Sequence, residues 1–163
     1  LHDYIVFEKN WFQEIESDLE NCEILMCKIL NLDGTRFRDW VLWVENHEPF
    51  DLYLQRTRKG LLPYSEKLFS EFMYISGSFW IAKKNVMEEF PLNEELVWGE
   101  SEDIEWSKRV RNRYKFHLNN RASVKLLKQK SVEFEPCDPI FIEALREYTI
   151  YRNPDIFLEI TKA

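Results

Sequence analysis

The chain has 163 residues, with 22 Lys+Arg against 29 Asp+Glu and a formal net charge of −7, a length that suits one domain. Apolar residues make up 45% and aromatics 15%, which supports a packed core and excludes wholesale disorder. No apolar run approaches the roughly 18 residues of a membrane span, and an acidic domain is a poor match for nucleic acid. The opening stretch Leu1-His2-Asp3-Tyr4-Ile5-Val6-Phe7 has no initiator Met and no signal peptide and is already strand-like, so the sequence is expected to be the C-terminal portion of something longer.

Residues 1–7 are predicted to form a buried strand. Residues 9–20, with Trp11, Phe12, Ile15 and Leu19 at helical spacing, should pack a helix on it. Residues 24–30 read as the next strand, closed by the turn Asn31-Leu32-Asp33-Gly34, with residues 37–44 as the second strand of a hairpin. Residues 45–64, punctuated by Pro49, Gly60 and Pro63, read as a loop with short helical pieces, and residues 64–72 as a short helix. Residues 73–83 form a strand pattern interrupted by Gly77, a placement that marks a bulge or a close ligand approach. Residues 85–90 make a helical turn or two before Pro91. Ser101 can cap a helix to about residue 113 whose inward positions are Ile104, Trp106, Ser107 and Val110. Residues 114–118 and 123–128 look like two short strands, and Asp138-Pro139 starts a last helix reaching about residue 151.

Strands alternating with helices predict an α/β class, a mixed sheet flanked by helices. Residues 1–130 form the main unit, and residues 131–163 a C-terminal helix and tail outside the sheet, as a lid or docking helix. Cys22, Cys27 and Cys137 fit neither a disulfide framework nor a zinc spacing, and read as small apolar residues in a reducing compartment, with cytoplasm as the expected location.

Charge is segregated along the chain. Residues 94–105 hold six acids and no Lys or Arg, whereas residues 106–130 hold nine Lys or Arg and no acid. Such an arrangement could face a substrate carrying both hydroxyls and phosphates, although solvated surface explains it as well. Three constellations carry potential chemistry. His2-Asp3-Tyr4 sits at a strand end, where α/β sheets bind ligands and where His and Asp can ligate a divalent metal. Ser76-Gly77-Ser78 offers open backbone flanked by hydroxyls. Trp98-Gly99-Glu100-Ser101-Glu102-Asp103-Ile104-Glu105-Trp106 places carboxylates in a first helical turn, where the dipole keeps them ionised and able to take a proton from an attacking sugar hydroxyl. Taken singly, each is also an ordinary turn former, β-bulge or acid-dressed helix start.

In this order the three constellations resemble the second half of nucleotide-sugar glycosyltransferases with the A-type fold. The resemblance is strongest to the large inverting family that builds bacterial surface polysaccharides, and it covers roughly residues 1–130. It implies a partial Rossmann-like fold and transfer of a sugar to a saccharide or lipid-linked acceptor at the inner face of a membrane. By the same resemblance Asp103 is the base and Glu102 its partner. His2 and Asp3 hold the donor diphosphate and a Mn²⁺ or Mg²⁺ ion, Gly77 and Ser78 line the donor-sugar pocket, and Trp98 and Glu100 face the acceptor. The chain departs from the pattern in two places. Its first motif has one Asp, and the run Val124-Lys125-Leu126-Leu127-Lys128 has no histidine where the family often supplies a ligand. Lys125 and Lys128 are therefore the candidates for charge that neutralises a leaving diphosphate. The alternative is an inactive relative serving as a sugar-binding or assembly module, and more remotely an unrelated α/β interaction domain.

Overall fold

The computed structural model describes residues 4–45, 58–66, 70–96, 99–130 and 134–153. Among these are β1 (Ile5–Phe7), α1 (Trp11–Asn21), β2 (Ile24–Leu30), β3 (Val41–Val44), β4 (Arg58–Leu61), β5 (Met73–Tyr74), β6 (Ile81–Ala82), α2 (Lys84–Glu89), α3 (Glu102–Val110), β7 (Phe116–Leu126) and α4 (Pro139–Arg152). The class is mixed α/β. One sheet runs β1-β7-β2-β6, with β2 and β7 parallel and the outer pairs antiparallel; a smaller antiparallel sheet runs β4-β3-β5.

Apolar runs at a strand spacing explain the centre. Within β2, Ile24, Leu25, Met26, Cys27 and Ile29 are all buried, as expected of a strand covered on both faces. Ile15 of α1 packs with Leu25, Cys27, Ile29, Val124 and Leu126 on one side of it. A larger cluster on the other side gathers Ile24, Met26, Trp40, Leu42, Trp106, Val110 and Phe116.

Several expectations are corrected. Residues 37–44 do not complete a hairpin with β2. The Phe37 N–H does donate to Ile29 O at 2.8 Å, but β3 begins at Val41 and belongs to the second sheet. The buried Asp39 diverts the chain: its carboxylate accepts from Ile29 N at 3.2 Å, Trp40 N at 2.7 Å, Arg36 Nε at 2.7 Å and the Tyr64 hydroxyl at 2.6 Å. Four donors on one carboxylate replace a rung of the ladder. The stretch expected to be loop contains β4, and the short helix expected over residues 64–72 is a 3₁₀ turn at Ser70–Phe72, with residues 67–69 outside the described set.

The two strands expected between residues 114 and 128 are one. β7 continues for 11 residues, with a register shift opposite Cys27 and Lys28. Buried Asn119 supplies what the irregular ladder lacks: its Oδ1 accepts from Arg121 N and Ala122 N, and its Nδ2 donates to Glu14 O and Asp18 Oδ2 of α1. The last helix starts as predicted, with Asp138 Oδ1 accepting from Ile140 N at 2.9 Å and Pro139 at the first position. It is no detached lid, however. Ile142 and Leu145 belong to the main core cluster, and Arg146 pairs with Glu66 at 2.8 Å.

Candidate functional site

The expected strand over residues 73–83 divides into β5 and β6, which lie in different sheets. The Ser76-Gly77-Ser78 stretch is thus a turn spanning the two sheets rather than a bulge within one strand. It faces the start of α3. Gly77 N donates to Asp103 Oδ2 at 2.9 Å, and Asp103 Oδ1 accepts from Ile104 N at 2.9 Å. Below them, Ser107 Oγ donates to Asp103 O at 2.6 Å and accepts from Ile75 N at 2.9 Å, so α3 and the segment after β5 are joined through one buried hydroxyl.

Ser101 stands at the N-cap position, but its backbone is left-handed (φ 64°) and its side chain makes no capping bond. Asp103 instead takes a first-turn donor through Ile104 N, while Glu102 Oε2 accepts from Gly99 N ahead of the helix at 3.3 Å. Gly99 itself has φ 91°, a conformation that glycine tolerates far better than other residues.

Two clefts meet at this wall. The larger, about 540 Å³, is lined beyond the shared residues by the rings and cations Tyr4, Phe37, Arg38, Trp43, Lys59, Tyr74, Lys130 and Phe134, and by Ser76, Gly99, Ser101 and Ile104. The smaller, about 320 Å³, is lined by Ile75, Phe79, Trp80, Leu92 and Trp106, with Trp80 stacked on Trp106 at 4.5 Å between centroids. Gly77, Ser78, Glu102 and Asp103 line both. One cleft is therefore cationic and aromatic, the other apolar, with two carboxylates on the boundary.

The structure thus brings together Asp103, Glu102, Gly77 and Ser78 as expected from sequence. His2, Asp3 and Trp98 lie outside the described residues. Glu100 is exposed and lines neither cleft. Lys125 lies in β7, opposite Val6 and Leu30, and lines neither cleft. Among the described residues Lys128 reaches the Tyr4 ring, 5.6 Å from its centroid. Among the described residues no three His, Cys, Asp or Glu side chains converge to hold a metal ion.

Four of the nine basic side chains of residues 106–130 pair with acids where they stand. Lys108 pairs with Glu45, Arg113 with Glu89, and Arg121 with Glu14 and Asp18. Arg109 is held by both Glu105 oxygens and by Pro91 O. Of that run Lys130 alone lines the larger cleft. The cationic residues that sequence reasoning missed, Arg38 and Lys59, come from unremarkable segments. Their signal is adjacency to aromatic residues: Phe37 in sequence, and Trp43 and Phe134 in space.

The chain matches no known protein family, no curated protein and no solved structure. No helix among the described residues is long and apolar enough to cross a membrane.

Proposed function

We propose that this chain carries the catalytic half of an inverting nucleotide-sugar glycosyltransferase with an A-type fold. The observation that carries the reading is the placement of Asp103 and Glu102 on the boundary between a cationic cleft and an apolar one, with Gly77, which has no side chain, directly against them. A donor needs positive charge at its leaving group and no side chain where its sugar sits. An acceptor needs a base at its hydroxyl and flat apolar surface for its C–H face.

In the proposed reaction Asp103 takes the proton of an acceptor hydroxyl entering from the cleft of Phe79 and Trp80. The hydroxyl oxygen attacks the anomeric carbon, the bond to the diphosphate breaks on the opposite face, and the configuration inverts. Gly77 N–H fixes the orientation of the base, while Glu102 stands beside it on Gly99 N–H. A Mn²⁺ or Mg²⁺ ion would enter through His2 and Asp3, supplying charge to the leaving diphosphate. The acceptor is a saccharide or a lipid-linked saccharide, and the work belongs at the cytoplasmic side of a membrane. The single Asp of the first motif favours a second reading, an inactive sugar-binding relative that binds nucleotide-sugar without turnover.

The test is donor turnover by the full-length protein over a panel of nucleotide sugars, with and without Mn²⁺ or Mg²⁺. Asp103→Asn keeps the size and removes the proton acceptor, but it also turns one of the two oxygens that accept Gly77 N and Ile104 N into a donor; with melting curves checked beside it, kcat should fall by about 10²–10⁴. Wild-type turnover in that variant removes Asp103 as the base. Donor binding with no turnover by the wild type selects the second reading.

A further inference from the structure

We infer that the larger cleft is a diphosphate site whose charge comes from Lys59, Lys130 and Arg38, three side chains brought together from separate segments. Arg38 lies between β2 and β3, Lys59 within β4, and Lys130 after β7. Naming the anion as the leaving group of the donor rests on the glycosyltransferase reading, whereas the anion site rests on the geometry below.

The cations are threaded on rings. Arg38 Cζ lies 5.2 Å from the Phe37 centroid and 5.3 Å from that of Phe134. Lys130 Nζ lies 5.5 Å from Phe37, and Lys59 Nζ 5.2 Å from Phe134, so each ring is shared by two cations. Phe37 and Phe134 are themselves buried and line the cleft. Lys130 is steadied further by Tyr4, whose hydroxyl accepts from Nζ at 3.1 Å.

A ring positions a cation without cancelling its charge. Neither Lys59 nor Lys130 makes an ion pair with any described residue, in contrast to Lys108, Arg113 and Arg121. Like charges gathered around one open cleft repel each other, and a polyanion relieves that repulsion. The wall opposite adds direction. Glu102 and Asp103 repel phosphate, so a nucleotide sugar settles with its diphosphate on the ring-and-cation side and its uncharged sugar toward Gly77.

The backbone is built to keep this arrangement. A Cβ at Gly60 would lie 2.9 Å from Glu135 O and 2.8 Å from Cys137 Sγ, closer than real contacts allow. Only a glycine beside Lys59 lets the segment carrying Phe134 lie against β4, where Leu61 N donates to Glu135 O and Cys137 N to Leu61 O.

Inorganic pyrophosphate and a nucleoside diphosphate are titrated calorimetrically into the full-length protein with a chelator present. The variants are Lys59→Gln, Lys130→Gln and their combination, with circular dichroism and melting curves checked for each. Binding of pyrophosphate by the wild type, weakened about tenfold for each cation removed and falling as salt is raised, is the expected result. Absence of pyrophosphate binding overturns the inference. So does an affinity unchanged in the double variant, or binding that needs added Mn²⁺ and ignores both lysines. Lysine-dependent binding in a protein that turns over no nucleotide sugar upholds the anion site and removes the glycosyltransferase reading. Sugar transfer with lysine-independent diphosphate binding does the reverse.

Discussion

A Cβ built at Gly77 would lie 3.5 Å from Asp103 Oδ2 and 3.6 Å from Glu102 Oε1, an ordinary van der Waals separation with no left-handed backbone to forbid it. The glycine is therefore dispensable to the fold at the level of one methyl group, and its missing side chain points at the carboxylate pair. Gly77→Ala should melt close to the wild type, within about 0.5 kcal/mol. Gly77→Val places branched methyls before Asp103 and Glu102 and should raise the donor KM several-fold while the fold survives. Thermal melts beside steady-state kinetics check both. A large loss of stability in Gly77→Ala would assign the glycine to the turn alone. The Ser-Gly-Ser pattern singles out Gly77 in the sequence, since a glycine among aromatic and β-branched neighbours needs a reason, and the structure sets it against Asp103. Arg38 and Lys59 were not readable, because a ring and a cation far apart in sequence give no local sign that they meet.

At the scale of elements, α3 is placed by one hydroxyl. Ser107 Oγ bonds both Asp103 O and Ile75 N, and the residue is buried. Ser107→Ala leaves the Ile75 N–H without its acceptor inside the core, which costs about 1–3 kcal/mol. For a chain of this length that is roughly 2–4 °C in Tm for each kcal/mol. Because Asp103 lies one turn earlier on the same helix, kcat should fall as well. Scanning calorimetry with single-turnover rates reads both, and an unshifted Tm would show that the two segments are held together by packing alone. Sequence periodicity predicted α3 well, with Trp106, Ser107 and Val110 all buried and Ile104 partly so. It failed at β7. Asn119 and Asn120 look like a break, and nothing local announces that the Asn119 side chain bridges the bulge to α1. It failed again at Asp39, where a buried carboxylate with four donors turns the chain from one sheet to the other.

Across the whole molecule the two halves of the core respond to different probes. Burial pushes the Cys27 thiol up to about 11 from 9.0, against the pull of the hydrogen bond from Trp11 Nε1. In that window the unfolded chain has lost the thiol proton that the folded chain keeps. Unfolding therefore releases protons, and stability must fall as the pH rises from 9.0 toward about 11. Cys27→Ala removes this contribution, so its urea midpoint should decline less steeply over the same range than that of the wild type. Parallel slopes would show that the thiol titrates normally in the folded state.

The other half of the core includes α4, whose Leu145 is fully buried with Ile142 among the side chains packed around Trp40 and Trp106. A helix that only covered a cleft would leave such residues half-exposed and would open without unfolding the sheets. This helix is instead fastened at three levels: by the Asp138 cap, by Leu145 in the core, and by Arg146 on Glu66. Trp40 Nε1 donates to the carbonyl of that same Glu66 at 2.6 Å, which couples the fastening to the centre of the molecule. Leu145→Ala should therefore cost about 2–5 kcal/mol and lower the single melting transition as a whole. A variant that unfolds in two steps, with α4 lost first and the Trp40 and Trp106 environments unchanged in near-ultraviolet dichroism, would return the helix to the role of a lid.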